Sequence, residues 1–250
     1  MKDYIVGLDV SITSTGMSIF NMKTGQYKFF NFPGHQEGSS LSLSKNTKLI
    51  VNNPDIFDDV TIVPYTRYMQ AKKDTPGYDY IVEQRLKMQE TINLTSAIVK
   101  TIKDNCDSDN IAIAIEGFSY GSQSSSYIDL IMYQSVARAV FVSTFGQDSL
   151  NILSPSENKK YFSGKGNADK KAMINAFINQ YVKNDYVLGS GLYRYMKQEY
   201  SDDWKDVKPF DDIIDSFALV TTIIMKMSGI KPEEPEKSKK KATNKKKKTS

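Results

Sequence analysis

The sequence predicts an α/β layered domain, and three observations carry the prediction. Apolar runs of strand length at 5–8 and 111–115 each finish on an acid, Asp9 and Glu116. Apolar residues at helical spacing fill 81–105, 127–145 and 211–227. Strands come first and helices then alternate with further strands, the order of one sheet covered by helices.

Taken in order, residues 5–8 (IVGL) suit a buried strand with Asp9 at its end. An acid there is costly to bury unless it is paired or holds a cation. A hydroxyl-rich turn follows (Ser11, Thr13, Ser14, Thr15, Gly16), then strands at 17–20 and 26–32 joined by a turn at 23–25. From 33 to about 80, Gly, Pro, Ser and Asn punctuate short apolar pieces. This stretch reads as an insertion with little regular structure and one extra hairpin, a surface elaboration of small entropic cost.

The helix at 81–105 is expected to turn Ile81, Met88, Ile92, Val99 and Ile102 inward. IAIAIE (111–116) is a continuous apolar run, typical of a strand buried on both faces. A loop at 117–126 carries Phe118 and Tyr120, and the helix at 127–145 is expected to turn Ile128, Ile131, Met132, Ala139 and Val142 inward. After a short strand at 150–153, a helical turn from Ser154 carries Lys159 and Lys160. Gly164, Lys165 and Gly166 lead to Asn167, read as the N-cap of a helix at 168–182. Residues 184–209 show no clear pattern. The last helix, 211–227, has the apolar stripe Ile213, Phe217, Val220 and Ile224, with Asp212 and Asp215 away from it.

The formal charge of +4 is unevenly spread. Residues 231–250 hold nine Lys against three Glu, whereas 1–230 hold 24 basic and 26 acidic side chains. The body, 1–230, is expected to be one domain, and the tail a disordered basic segment, suited to non-specific affinity for nucleic acid or to serving as a solubilising end. Cys106 and His35 are the only residues of their types, which argues against disulfides, a cysteine zinc cluster and a histidine triad. A catalytic metal would sit on carboxylates, which points to Mg²⁺ or Mn²⁺. No apolar run approaches the ~20 residues of a membrane span. The first residues lack the apolar core of a signal peptide, so a cytoplasmic location is expected.

Acids at the carboxyl ends of sheet strands stand where ligands bind in open α/β sheets. Asp212 and Asp215, three apart, share a helix face, and so do Asp211 and Asp215, four apart. Packed beside the sheet, such a helix would bring four acids to one spot, where they need divalent cations. That arrangement suits two-metal phosphodiester hydrolysis. Singly, each acid also has an ordinary role: Asp211 or Asp212 as a helix cap, Glu116 as a solvated loop acid, Asp9 bonded to its own turn.

Four motifs in register resemble the RuvC family of Holliday-junction endonucleases, within the ribonuclease H-like superfamily. GLDVSITSTG is similar to the family's opening strand–acid–turn, with Val10 in place of the usual proline, and IAIAIEGFSY to its second motif. SGKGNADK (163–170) resembles the stretch whose lysine, here Lys170, faces DNA. DDIIDSFAL resembles the last motif and selects Asp212 with Asp215, leaving Asp211 as an extra acid. The resemblance covers most of the chain apart from 33–80 and the tail. It implies a mixed five-stranded sheet flanked by helices, with the insertion after the third strand. It implies two Mg²⁺ or Mn²⁺ ions on Asp9, Glu116, Asp212 and Asp215, branched DNA such as a four-way junction as substrate, and a homodimer, for which 127–145 is the candidate face. The 107-residue gap from Asp9 to Glu116 exceeds that of bacterial members and resembles phage or viral relatives, which would act in the cytoplasm of a bacterial host.

Phe118 and Tyr120 are candidates for stacking on unpaired bases, and Lys159, Lys160, Lys165 and Lys170 for phosphate contacts. Other readings compete. A ribonuclease H-like nuclease acting on RNA–DNA hybrids would carry the same four acids. An ATP-binding protein of the actin and sugar-kinase type opens with a similar turn but needs a second phosphate loop and an adenosine motif, neither of which is found. A catalytically silent DNA-binding scaffold would normally have lost one acid.

Overall fold

The computed structural model describes residues 2–11, 13–36, 43–68, 76–118, 125–179, 185–201, 204 and 207–232. Strands β1 (Tyr4–Asp9), β2 (Ser14–Asn21) and β3 (Tyr27–Gln36) form an antiparallel meander. The insertion follows with helix α1 (Lys45–Asn52) and strands β4 (Val60–Ile62) and β5 (Tyr65–Arg67). Helix α2 (Tyr80–Asn105) leads to β6 (Ile111–Glu116), and α3 (Ser125–Phe145) to β7 (Leu150–Leu153). Helices α4 (Pro155–Ser163), α5 (Lys170–Ile178), α6 (Asp185–Leu188), α7 (Gly191–Glu199) and α8 (Phe210–Met227) complete the chain.

The sheet order is β4-β3-β2-β1-β6-β7, with β6 parallel to β1 and β7 parallel to β6. Its five-stranded centre, an antiparallel meander continued by two parallel crossover strands, is the ribonuclease H-like arrangement. The insertion enlarges it: β4 and β5 both pair with β3, and both run parallel to it.

The two faces follow from the period of two along each strand. Tyr4, Val6 and Leu8 of β1, with Ile111, Ile113 and Ile115 of β6, pack under α2 and α3. The alternate residues, Ile5, Ala112 and Ala114, face α8, α4 and α5. Small residues line that second face so that α8 can lie close. A Cβ on Gly7 would stand 2.1 Å from the Ser216 carbonyl oxygen, and one on Gly16 2.0 Å from that of Asp212. Buried Ser18 and Ser216 share a hydroxyl hydrogen bond of 2.7 Å across the same contact.

Several sequence-based expectations need correction. The insertion forms a helix and two parallel-paired strands, with no hairpin among its described residues. Nor is it a surface elaboration: Ile50, Phe57 and Val60 join the core with Leu192, Met196 and Phe210. Helix α2 buries Thr91, Leu94, Thr95, Ile98 and Ile102, while Ile81, Met88 and Ile92 are exposed. Threonine methyl groups serve as core filling there, which a count of apolar residues does not register. Helix α3 buries Tyr133, Ala137 and Phe141 rather than Ile128 and Ala139, because it is apolar nearly all round and spacing cannot choose its face. Asp169, not Asn167, caps α5, accepting a 2.9 Å bond from the Ala172 amide. The region without a pattern, 184–209, holds α6 and α7. The tail beyond 232 lies outside the described residues.

Candidate active site

The register builds half of the site. Leu8 of β1 pairs with Ile115 of β6, so the next residues, Asp9 and Glu116, end adjacent parallel strands on the same sheet face. That face is the one α8 covers. The hydroxyl-rich turn after Asp9 ties itself down: the Ser11 hydroxyl donates to the Ser14 carbonyl at 2.6 Å, and the Thr15 hydroxyl to the Ser11 carbonyl at 2.9 Å.

Helix α8 supplies the other half. Its first turn carries Asp211 and Asp212, 3% and 5% exposed, and Asp215 follows, partly buried. Neither Asp211 nor Asp212 caps the helix; Pro209 stands at that position with no side-chain bond. Asp212 Oδ2 accepts from the Ser14 hydroxyl at 2.5 Å, and the Asn31 amide donates to Ser14 Oγ at 2.9 Å, so β2 and β3 orient this carboxylate. Lys208 Nζ reaches both Asp212 oxygens, at 2.6 and 2.9 Å. Lys170 Nζ stands 2.6 Å from Asp211 Oδ2, while buried Asp211 Oδ1 has no hydrogen-bond partner.

The electrostatics reflect the crowding. Burial, then the charges of Asp215, Asp212 and Glu116, push the Asp9 carboxyl well above the usual range, against a pull from Lys208. Burial, then Glu116, Asp211 and Asp212, raise Asp215 to about 7. Burial raises Asp212 too, with Asp211 adding to the effect and Lys208 and Ser14 opposing it. Burial also raises Glu116, against Lys159 and a hydrogen bond from Asn158. Burial is the first cause for each carboxyl, and neighbouring acids add to it for Asp9, Asp212 and Asp215.

The four predicted acids thus meet within electrostatic reach. Of the predicted lysines, Lys170 contacts Asp211, and Lys159 acts on Glu116 and Asp215. Lys165 is exposed on the turn after α4, and Lys160 borders a surface depression with Tyr161 and Lys231. Phe118 is partly buried, and the Arg138 guanidinium stands 4.2 Å from its ring centre. Tyr120 lies outside the described residues. Sequence reasoning missed Lys208, Ser14 as a ligand of Asp212, Asn31 and Asn158. The last is buried on α4, accepts from the Thr222 hydroxyl of α8 at 2.9 Å, and donates to Glu116. Only Lys208 left a trace in the sequence, its four-residue spacing from Asp212.

No group of three or more His, Cys, Asp or Glu side chains among the described residues is arranged to hold a metal ion. The donor chemistry nevertheless suits a hard divalent cation: carboxylate oxygens from three elements, an excess of negative charge and a buried unpartnered oxygen on Asp211. Asp212 engages Lys208 through both of its oxygens.

No family model and no curated protein matches the chain. Among solved structures it is similar to Thermus thermophilus RuvC, at 13% identity and a TM-score of 0.45, covering 92% of this chain and 99% of that one. It is also similar to T. thermophilus RuvC in complex with Holliday junction substrate, at 11% identity and a TM-score of 0.43 with the same coverage. A likeness this distant carries no argument about activity; the fold stands on the chain's own strand order. No helix among the described residues is long and apolar enough to cross a membrane.

Proposed function

We propose that this chain is a divalent-metal-dependent, structure-selective endonuclease that cuts branched DNA, four-way junctions foremost, by phosphodiester hydrolysis. The observation that carries the reading is the meeting of Asp9 and Glu116, side by side on parallel strands, with Asp212 and Asp215 under the start of α8. Four acids that repel one another in a poorly solvated site have an evident use when cations join them. Asp9, Glu116, Asp212 and Asp215 would hold Mg²⁺ or Mn²⁺, which when bound would activate water and stabilise the leaving oxygen.

The protein's own groups set the frame. Ser14 and Asn31 fix Asp212, Asn158 fixes Glu116, and the close α8 contact fixes Asp215 against the sheet. Lys159 and Lys170 line the acids with positive charge, suited to phosphate oxygens, and Phe118, backed by Arg138, supplies a ring beside Glu116. As partner we place a second copy of the chain on the exposed apolar residues Ile81, Met88 and Ile92 of α2 and Ile128 of α3.

The test is cleavage, with Mg²⁺ and with EDTA, of a synthetic four-way junction beside linear duplex, flap and RNA–DNA hybrid. Metal-dependent cutting that favours the junction is expected. Preference for the hybrid would transfer the site to the other nuclease reading, and no cleavage of any substrate would remove the nuclease assignment.

A further inference from the structure

We propose that Lys208 is a built-in counter-cation of the carboxylate site, which a divalent ion must displace from Asp212 and which, once displaced, turns to the DNA phosphates. The inference rests on the reading of the acids as a divalent-metal site and adds to it a residue that couples metal binding to DNA binding.

The geometry is that of a clamp. Lys208 Nζ holds both oxygens of a carboxylate that is otherwise buried, and the Ser14 hydroxyl takes a further position on Oδ2. A carboxylate has about four acceptor sites, so three of Asp212's are used, two by the ammonium. An ion held by Asp212 would share those oxygens with the ammonium. It would then stand within a few ångströms of the ammonium in a site with little water, where two cations repel strongly. Lys208 and the ion therefore compete for Asp212. The charge of Lys208 also acts on Asp9, so its influence reaches beyond Asp212.

The lysine's backbone is held, and its side chain is partly open to solvent. The Lys208 carbonyl accepts from Asn46 Nδ2 at 3.0 Å and from the Ser44 hydroxyl at 3.4 Å, both at the start of insertion helix α1. The side chain is 41% exposed, against 6% for that of Asp212. A displaced ammonium would swing on its four-carbon stem into the solvent-facing side of the site, where a DNA backbone must lie if its phosphate is to reach the acids. A compact, flexible point charge suits that exchange. On this account the insertion anchors the pivot of a lysine that serves the acids before metal binds and the phosphate afterwards.

The experiment uses the full chain. Mn²⁺ binding is titrated calorimetrically, without DNA, for wild type, Lys208→Met and Lys208→Arg. Lys208→Met should bind about 3- to 10-fold tighter, the effect of removing one partly exposed competing ion pair, and Lys208→Arg should stay near wild type. DNA affinity is then compared in EDTA and in Ca²⁺; Lys208→Met should weaken binding in Ca²⁺ and leave it unchanged in EDTA. Circular dichroism checks folding, and if Lys208→Met is unfolded, Asn46→Ala, which loosens the pivot, should tighten Mn²⁺ binding in the same direction. Wild-type or weaker Mn²⁺ affinity in a folded Lys208→Met, or in Asn46→Ala where that variant replaces it, overturns the role of Lys208 alone. A wild-type chain that binds no Mn²⁺ overturns the metal-site reading beneath it as well.

Discussion

At the scale of single residues, each acid is defined by what surrounds it. Asp9 and Glu116 are held at strand ends beside other carboxylates, so Asp9→Asn and Glu116→Gln would remove charge that the proposed cations need while leaving the lysines in place. Both should abolish Mg²⁺-dependent cleavage and leave junction affinity within about threefold of wild type; gel-shift and cleavage assays on one junction check this, and normal turnover by either variant counts against the assignment. Asp212 bonds to Ser14 and Lys208 and acts on Asp9, whereas Asp211 is paired with Lys170. With Asp212 proposed as the ligand on its contact with Ser14 and its action on Asp9, Asp212→Asn should be severe and Asp211→Asn mild; the reverse ranking would move the metal to Asp211, whose buried Oδ1 has no hydrogen-bond partner. Asp9 and Glu116 were legible in the sequence because a carboxylate closing an apolar run has few structural uses. Asn158 and Asn31 were not: a lone buried amide follows no period, and its partner is distant in sequence, as Thr222 is from Asn158. The choice between Asp211 and Asp212 was open from spacing alone, since both share a face with Asp215.

At the scale of elements, the site depends on how closely α8 lies on β1 and β2. Gly7 and Gly16 both remove a Cβ that would strike its backbone, but at different points, Ser216 and Asp212. Alanine at either should lower stability by about 1–3 kcal/mol as the helix is forced outward. Gly16→Ala displaces the turn that carries Asp212 and should lose cleavage even where it remains folded. Gly7→Ala acts a turn further along and should retain more activity per folded molecule. Urea unfolding with specific activity separates the two effects; equal residual activity in both variants would show that the position of α8's first turn does not matter. Strands and the ends of long helices were readable from period and punctuation, and so was the site's dependence on α8. The facing of α2 and α3 was not, because Thr91 and Thr95 pack inward and the apolar residues of α3 are not gathered on one face. The insertion misled for another reason. Its pieces, such as LIV at 49–51 inside α1, are too short to show a period and gain their structure from packing on Phe210 and α7.

At the scale of the whole molecule, charge is divided between an acidic pocket and a basic end. Nine lysines in 231–250 can neutralise several phosphates without reading DNA shape. Removal of that segment should weaken binding to all DNA, flatten its salt dependence and raise the ratio of junction to duplex affinity, as titrations at about three salt concentrations would show; loss of junction preference alone would make the tail the reader. The acidic pocket leaves its own mark on folding. Asp215 would ionise near its ordinary 3.8 in the unfolded chain and near 7 in the folded one, and Asp9, Glu116 and Asp212 shift in the same direction. Below about pH 4 these groups are protonated in both states and cost nothing. Between about 4 and 7 the folded chain keeps the Asp215 proton that the unfolded chain loses, so this acid makes stability fall as pH rises until its folded value is passed, and the other three act in the same direction. Thermal melts in EDTA should therefore shift downward across that window. On the proposed reading Mg²⁺ would bind the ionised folded site, so it should restore stability at pH 8 and have little effect at pH 4. Asp215→Asn removes one of these raised carboxyls; it should melt higher than wild type at pH 8 in EDTA, flatten the slope and lose much of the Mg²⁺ effect. A variant that melts lower than wild type at pH 8 with an unchanged slope would mean that Asp215 is ionised and paired in the folded chain, and that the acids do not strain it.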